Sequence, residues 1–130
     1  MTLVIVRPNY LLSLLILVIA VAAATSARAE SKTKAAEEAG AVLFRDKGCA
    51  YCHGADGTGG KKGPNLSRLR TDKLWPPDKI TNQILNGGQK MPPFSDSLTD
   101  VEIAQLVAYL RAKQKPVPPP IAAPPPAPSN

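Results

Sequence analysis

The clearest hydrophobic pattern along the chain is a helical stripe near its C-terminal end. Four apolar residues recur there at positions i, i+3, i+4 and i+7, which is one face of a helix: Ile103, Leu106, Val107 and Leu110. Thr99 and Glu102 have the spacing of a capping box, so the helix should begin after Thr99, and Pro116 should end it. Three cations near the expected end suit the helix dipole: Arg111, Lys113 and Lys115. Tyr109 lies off the centre of the stripe, so periodicity alone gives it a marginal place.

Two further helices are predicted upstream. The first runs from about Ser31 to Lys47, because four residues share one face of it: Ala36, Gly40, Leu43 and Phe44. Gly40 costs such a helix roughly 0.5–1 kcal/mol relative to alanine, so a closely packed neighbour should compensate for it. The second helix runs from about Asp78 to Asn86 and stops at two glycines. The glycine-rich segment 54–70 is expected to be a loop, and no convincing strand pattern is found, so the predicted fold class is all-α.

The first 29 residues have the order of a secretory signal peptide. Arg7 is followed by 14 uncharged, mostly apolar residues from Leu11 to Ala24, and Ala27-Arg28-Ala29 then supplies small residues around a cleavage point. A helix that spans a bilayer needs roughly 20 apolar residues, so cleavage after Ala29 is the favoured interpretation. An uncleaved segment that anchors the protein is the alternative. Export predicts a periplasmic protein with no membrane span in the mature chain.

The other end of the chain is rich in proline. From Pro116 to Asn130, proline recurs too often for a helix or a sheet ladder, which leaves extended polyproline II or disorder. The predicted organisation is therefore a signal peptide over residues 1–29, one domain over 30–115, and a tail over 116–130. A solvated tail is favoured over a docking segment.

The charge and composition of the chain argue against nucleic-acid binding. The net charge of the chain is +6, and leaving out Arg7 and Arg28 lowers it to +4. No stripe of lysine and arginine interleaved with aromatic residues is present, so nucleic acid is not an expected partner. A mildly basic surface is compatible with docking to an acidic protein.

The two cysteines of the chain lie in the motif Cys49-Ala50-Tyr51-Cys52-His53, which is the attachment signal of c-type haem. Residues three apart on a helical turn have Cβ atoms roughly 5–6 Å apart, so both thiols can reach the two vinyl groups of one porphyrin. His53 then follows under the iron as the proximal ligand. The expected cofactor is one covalent haem c with its iron.

Three other interpretations of the motif fit less well. A structural zinc site generally needs four ligands, and the mature chain offers no further cysteine or histidine. A thioredoxin-like dithiol belongs in a βαβ setting, for which no strand pattern exists. A plain disulfide would leave His53 unexplained.

The sixth iron ligand follows by elimination. Met1 leaves with the signal peptide and no second histidine exists, so Met91 is the remaining thioether. It lies between two helical stretches and is followed by Pro92 and Pro93, which stiffen the loop. Met91 is therefore predicted to be a ligand rather than core filler; a lysine, water or an open site remains the alternative.

Taken together, these features resemble the class I cytochrome c family, and the resemblance covers roughly Ala35 to Lys113. Gly40-x-x-x-Phe44 is similar to the first-helix signature of the family, in which glycine permits close crossing by the last helix. Leu106 and Tyr109 match the partner positions on that last helix, so the resemblance implies that Tyr109 is packed. It also implies a cytochrome c fold, with three to four short helices around one haem and crossing terminal helices.

The resemblance also assigns residues around the haem. Gly63-Pro64-Asn65-Leu66 is similar to the stretch whose proline carbonyl accepts a hydrogen bond from the proximal histidine, so the Pro64 oxygen should fix the His53 ring. Met91-Pro92-x-Phe94 resembles the distal ligand loop. For Trp75, packing on the haem edge or against a propionate and a plain core position are both open.

The expected function is one-electron transfer, with no enzymatic activity. Histidine and thioether ligands keep the iron six-coordinate and favour the ferrous state. The protein should be a monomeric periplasmic carrier between a dehydrogenase or quinol-oxidising complex and a terminal acceptor. Four lysines are candidates for docking redox partner proteins: Lys61, Lys62, Lys79 and Lys90. The alternatives are a haem subunit of a larger oxidoreductase, a small haem enzyme, or a ligand-binding sensor in which Met91 is displaced.

Overall fold

The computed structural model describes residues 8–60 and 62–121. It contains four α-helices: α1 (Pro8–Asp46), α2 (Cys49–His53), α3 (Pro77–Asn86) and α4 (Asp100–Arg111). No strand occurs in these two ranges, and the predicted all-α class is confirmed. Lys61 and the tail beyond Ile121 lie outside the described residues.

Helix α1 is much longer than the sequence pattern predicts. A start near Ser31 was expected, but the helix begins at Pro8 and has 39 residues. Its first residue is a proline, which is well tolerated in the first turn, and neither glycine nor proline follows until Gly40, so nothing interrupts the helix earlier. The predicted start near Ser31 is therefore wrong, whereas the predicted end near Lys47 lies one residue beyond the observed end at Asp46.

The chain divides into two compact units, with the boundary between Lys34 and Ala35. In the first unit, the apolar side chains Leu15–Ile19 are all exposed. None of the four described helices has an apolar stretch of the length that crossing a membrane would need. The second unit contains the end of α1 and the three other helices.

Within the second unit, α1 and α4 pack at very short distance around Gly40. A Cβ atom added to Gly40 would lie 2.0 Å from the Gln105 carbonyl oxygen and 2.7 Å from the Cβ of Tyr109. One turn further along α1, the Phe44 and Tyr109 rings lie 5.3 Å apart, centroid to centroid, with a tilt of 48°. Both rings are almost fully buried, which confirms that Tyr109 is packed although periodicity alone left it marginal.

The start of α4 agrees with the sequence prediction and its end does not. Thr99 accepts from the Glu102 backbone N–H, while the Glu102 carboxylate accepts from the Thr99 backbone N–H at 2.8 Å, so both halves of the capping box are formed. The helix ends at Arg111, five residues before Pro116, with Ala112 as its extended C-cap. Lys113 and Lys115 therefore lie beyond the helix, and the expectation that they complement its dipole is wrong.

Helix α3 lies against α4 and completes the core. It begins at Pro77, one residue before the expected start, and ends at Asn86 as predicted. Ile80 and Ile84, one turn apart, are its buried residues, and they belong to the same apolar cluster as the stripe of α4. The core is therefore built from α1, α3 and α4, while α2 stands at its edge with no fully buried residue.

Candidate functional site

The two thiols lie on one short helix. Helix α2 consists of the five residues of the Cys-x-x-Cys-His motif itself, so Cys49 and Cys52 are three residues apart on one helical turn. Both cysteines are free and half-buried. Burial raises the pKa of the Cys49 thiol, whereas a redox-active dithiol depends on a lowered pKa.

The His53 ring is fixed by the loop that follows α2. Its Nδ1 atom lies 3.0 Å from the Pro64 carbonyl oxygen. Because a carbonyl oxygen can only accept, Nδ1 carries the proton and donates, which leaves Nε2 free to bind a metal. The loop itself is held by the His53 carbonyl oxygen, which accepts from the Gly59 N–H at 2.7 Å.

Gly63 brings this loop close to the His53 ring. A Cβ atom added to Gly63 would lie 2.9 Å from both the Cys52 carbonyl oxygen and His53 Nδ1, a separation at which something must shift. No side chain fits between the loop and α2 without such movement. This steric role of Gly63 is not apparent from its place in the Gly-Pro-Asn-Leu match.

Met91 lies in a tight turn after α3. The Gly88 N–H donates to the Met91 carbonyl oxygen at 2.8 Å, and the Phe94 N–H donates to the Ile84 carbonyl oxygen at 3.1 Å, which ties the segment back to α3. Met91 is half-buried and packs against the core cluster. Its position is therefore set by backbone hydrogen bonds on both sides.

Two cavities meet at His53 and Met91, and both residues line both of them. The larger cavity, of about 430 Å³, extends towards the core and is bounded by Leu69, Trp75 and Ile80 among others. The smaller cavity, of about 350 Å³, is bounded by both cysteines and by Phe94. Volumes of roughly 300–1,000 Å³ are usual for the binding sites of small molecules and cofactors.

The residues around these cavities fit a covalently held haem. Two thiols, an imidazole with a fixed tautomer and a thioether all border the same space, and a largely apolar wall surrounds it. A closed metal site is a poorer match, because no cluster of three or more histidine, cysteine, aspartate or glutamate ligands occurs within the described residues. Trp75 borders the larger cavity and also packs against the core, so its two possible roles stay open.

Three of the four lysines predicted to dock partners lie in the described residues, and their ammonium groups make different contacts. Lys62 donates to the Tyr51 hydroxyl and lies 3.9 Å from the centre of that ring. Lys79 donates to the Leu74 carbonyl oxygen at 3.0 Å and lies 4.5 Å from the centre of the Trp75 ring. Lys90 borders both cavities. No hydrogen bond, ion pair or ring contact is found for its ammonium group among the described residues.

Comparison with known proteins gives several relatives. The chain is 38% identical over 87 residues to the cbb3-type cytochrome c oxidase subunit FixP of Sinorhizobium medicae (strain WSM419), covering 58% of this chain and 29% of the relative. It is 31% identical over 89 residues to the menaquinol:cytochrome c reductase cytochrome c subunit of Bacillus subtilis (strain 168), covering 63% and 33%. It is 32% identical over 75 residues to cytochrome c-555 of Methylococcus capsulatus (strain ATCC 33009 / NCIMB 11132 / Bath), covering 57% and 59%.

The chain thus spans about a third of the length of the first two relatives and somewhat more than half of the third. No solved structure matches it significantly. A family model described as "Cytochrome C oxidase, cbb3-type, subunit III" matches residues 35–110, which is more than half of the chain and the greater part of the second unit. The chain therefore belongs to this family of c-type cytochrome domains, which transfer electrons and bind one haem c covalently.

Proposed function

We propose that the protein is an exported one-electron carrier whose single haem is attached at Cys49 and Cys52 and ligated by His53 and Met91. The observation that carries the proposal is that His53 and Met91 both border the two adjoining cavities. The His53 Nδ1–H donates to the Pro64 carbonyl oxygen, so Nε2 remains available for the iron. When bound, the haem iron supplies a couple that takes up and releases one electron. The contribution of the protein is to hold two ligands in fixed positions.

The ligand residues are held by backbone contacts rather than by flexible side chains. His53 is fixed by Pro64 through the protonated Nδ1, and Met91 by the turn that its own carbonyl closes with Gly88. Rigid ligands keep the same geometry in both oxidation states, so little has to move when an electron enters or leaves. The hydrogen bond to Pro64 also raises the basicity of the imidazole, which tunes the iron.

The cavity walls exclude water and favour the ferrous state. The larger cavity is lined by Leu69, Ile80 and Leu110, and the smaller one by Phe94. Ferric haem carries one more positive charge than ferrous haem, and an apolar surrounding disfavours that charge. The thioether of Met91 acts in the same direction, so a positive reduction potential is expected.

Localisation and processing form part of the proposal. The first 29 residues act as a signal peptide that delivers the protein to the periplasm, where haem is attached. The apolar run from Leu11 to Ala24 supports this role. Lys90 is the best supported docking residue, since it lines both cavities and its ammonium group has no partner in the described ranges, whereas Lys62 and Lys79 already contact aromatic rings.

A second candidate is a haem subunit within a larger oxidoreductase. Two relatives are named as subunits of an oxidase and of a reductase, and this supports a role inside such an assembly. The two candidates differ in one measurable property. A free carrier elutes from gel filtration of a periplasmic extract at the mass of the mature chain, whereas a subunit elutes with its complex from solubilised membranes.

The visible spectrum tests the two proposed iron ligands. It is recorded on protein matured in an exporting host that can attach haem. Sharp low-spin ferrous bands and a weak far-red sulfur-to-iron band in the ferric form are expected. Met91→Ala should lose the far-red band and bind carbon monoxide readily when reduced, while the wild type binds it poorly. Rapid binding by the wild type would instead favour the sensor or enzyme. Absence of haem from the wild type would reject the cytochrome function.

A further inference from the structure

Arg111, the last residue of α4, ties the helix to a distant loop. Its Nη1 atom donates to the Leu69 carbonyl oxygen at 2.7 Å and to the Trp75 carbonyl oxygen at 3.1 Å, and its Nη2 atom donates to the Arg70 carbonyl oxygen at 3.2 Å. The side chain is half-buried. Arginine suits this task because its planar guanidinium presents several donors in a fixed fork.

The loop that Arg111 holds is a wall of the larger cavity. Leu69, Asp72 and Trp75 all border that cavity, and so does Leu110, the neighbour of Arg111 on α4. The loop has only local backbone bonds of its own, such as those from the Thr71 and Trp75 N–H groups to Arg68 and Asp72. These bonds shape the turns but do not connect the loop to a helix. Lys79 of α3 adds one bond, to the Leu74 carbonyl oxygen at 3.0 Å. The contacts of Arg111 span 36 to 42 residues of sequence and supply the connection to α4.

We propose that Arg111 is a positioning residue that presses the 69–75 wall onto the haem and thereby sets its reduction potential. Cysteine residues border the smaller cavity but not the larger, so the wall covers the part of the site away from the thioether attachment. Loss of the three hydrogen bonds lets the wall move outwards and water approach. Water stabilises the additional charge of the ferric state, so the potential falls.

The inference rests on the proposed function, with the haem filling the space that both cavities share at His53 and Met91, and the experiment separates the two claims. Haem attachment and Met91 ligation are read from the visible spectrum of each variant. The potential and the mobility of the wall are read separately, by redox titration and by hydrogen exchange of the amides in residues 69–75. A variant with an intact spectrum and an altered potential therefore tests Arg111 alone.

Three variants of the holoprotein separate the effect of the wall's position on the reduction potential from the effect of the Arg111 charge. Arg111→Met removes the charge and all three hydrogen bonds. Arg111→Lys keeps the charge but cannot supply the fork. Lys113→Met removes an exposed charge two residues further along, where no contact to the wall exists in the described structure. If Arg111→Met does not accumulate as holoprotein, Arg111→Lys carries the test alone, because it is the more conservative change.

The expected result is a fall of roughly tenfold in the equilibrium constant for reduction of Arg111→Met, which corresponds to about 59 mV for one electron. Arg111→Lys should show a fall in the same direction with faster exchange of the wall amides, and Lys113→Met should show neither. The proposal is overturned if Arg111→Lys matches the wild type while Arg111→Met and Lys113→Met fall equally, because charge alone would then account for the effect. Unchanged exchange of the wall in Arg111→Lys would also overturn it.

Discussion

The backbone of α1 at Gly40 approaches the backbone of α4 at Gln105 so closely that an added Cβ atom would lie 2.0 Å from the Gln105 carbonyl oxygen. A neighbouring side chain could rotate away, but a carbonyl group in the middle of a helix cannot. The close approach brings Phe44 against Tyr109 and buries both rings. The contact between the two helices therefore depends on the absence of a side chain at position 40.

Gly40→Ala is consequently predicted to destabilise the holoprotein. Alanine is the better helix former by roughly 0.5–1 kcal/mol, but forcing an extra carbon into a packed interface costs about 1–3 kcal/mol, and here it meets backbone. The net effect should be a lower free energy of unfolding in urea. Glu38→Ala, an exposed change on the same helix, is the control and should have little effect. Equal stability of Gly40→Ala and the wild type would show that the helices can separate without cost.

The sequence predicted well those elements that are determined by residues within one helical turn of each other. The capping box of α4 depends on two residues three apart, and Ile80 and Ile84 depend on one turn of α3, so spacing alone located them. The early end of α4 was missed because Ala112, a good helix former by residue type, is extended and buried in the structure, which no local pattern reveals. Arg111 was assigned to the helix dipole because no local pattern reveals the carbonyl groups it reaches.

The same distinction holds at the candidate site. The attachment motif can be recognised from the sequence alone because its two thiols and its imidazole lie within five residues. The partnership of His53 with Pro64 spans 11 residues and came from resemblance to a family, since spacing in a glycine-rich loop does not determine which carbonyl meets the ring. The role of Gly63 could be found only from the distance between the loop and α2.

Gly63→Ala is predicted to weaken the hydrogen bond between His53 and Pro64. The new methyl group would lie 2.9 Å from His53 Nδ1, so the loop or the ring must move. A weaker bond makes the imidazole less basic and the ferric state less favourable, so the reduction potential should rise. Redox titration measures it, and proton NMR of the ferric protein reports ring orientation through the shifted haem methyl resonances. Ser67→Ala, an exposed change on the same loop, serves as control, and a fall in potential for Gly63→Ala would contradict the argument.

The capping box makes the stability of the domain vary with pH in the acid range. Glu102 accepts hydrogen bonds from the backbone N–H and the hydroxyl of Thr99, and these bonds lower the pKa of its carboxyl group below the ordinary value of 4.5, with Lys47 acting in the same direction. Because the folded pKa is depressed, the stabilisation is present above the unfolded pKa and is lost as the pH falls through the folded pKa.

Glu102→Gln should therefore be less stable than the wild type at pH 7, and the difference should shrink as the pH falls below about 4.5. Urea unfolding of both proteins across pH 3 to 7 measures this difference, and Asp100→Asn, an exposed change in the first turn of the same helix, is the control. A difference that stays constant over the whole range would mean that the charge of Glu102 contributes nothing.

Lys115 and the first residues of the proline-rich tail are predicted to stabilise the domain. Lys115 donates to the Asp56 carbonyl oxygen at 3.1 Å and lies 5.6 Å from the centre of the Tyr109 ring, and burial lowers the pKa of its ammonium group. Further along, the Pro119 carbonyl oxygen accepts from Arg45 of α1. Pro116 and Pro118 are half-buried while Val117 between them is exposed, so one side of the segment packs against the domain.

Truncation after Gln114 should accordingly lower the free energy of unfolding by about 1–2 kcal/mol, since it removes the hydrogen bonds at Lys115 and Pro119. Truncation after Ile121 should leave stability unchanged, because the described contacts of the tail all come from residues before it. Lys115→Met, which keeps the aliphatic part but not the ammonium donor, should account for much of the loss. Equal stability of the two truncated proteins would mean that the chain is solvated from Lys115 onwards and that the domain ends one residue earlier than the sequence pattern put it.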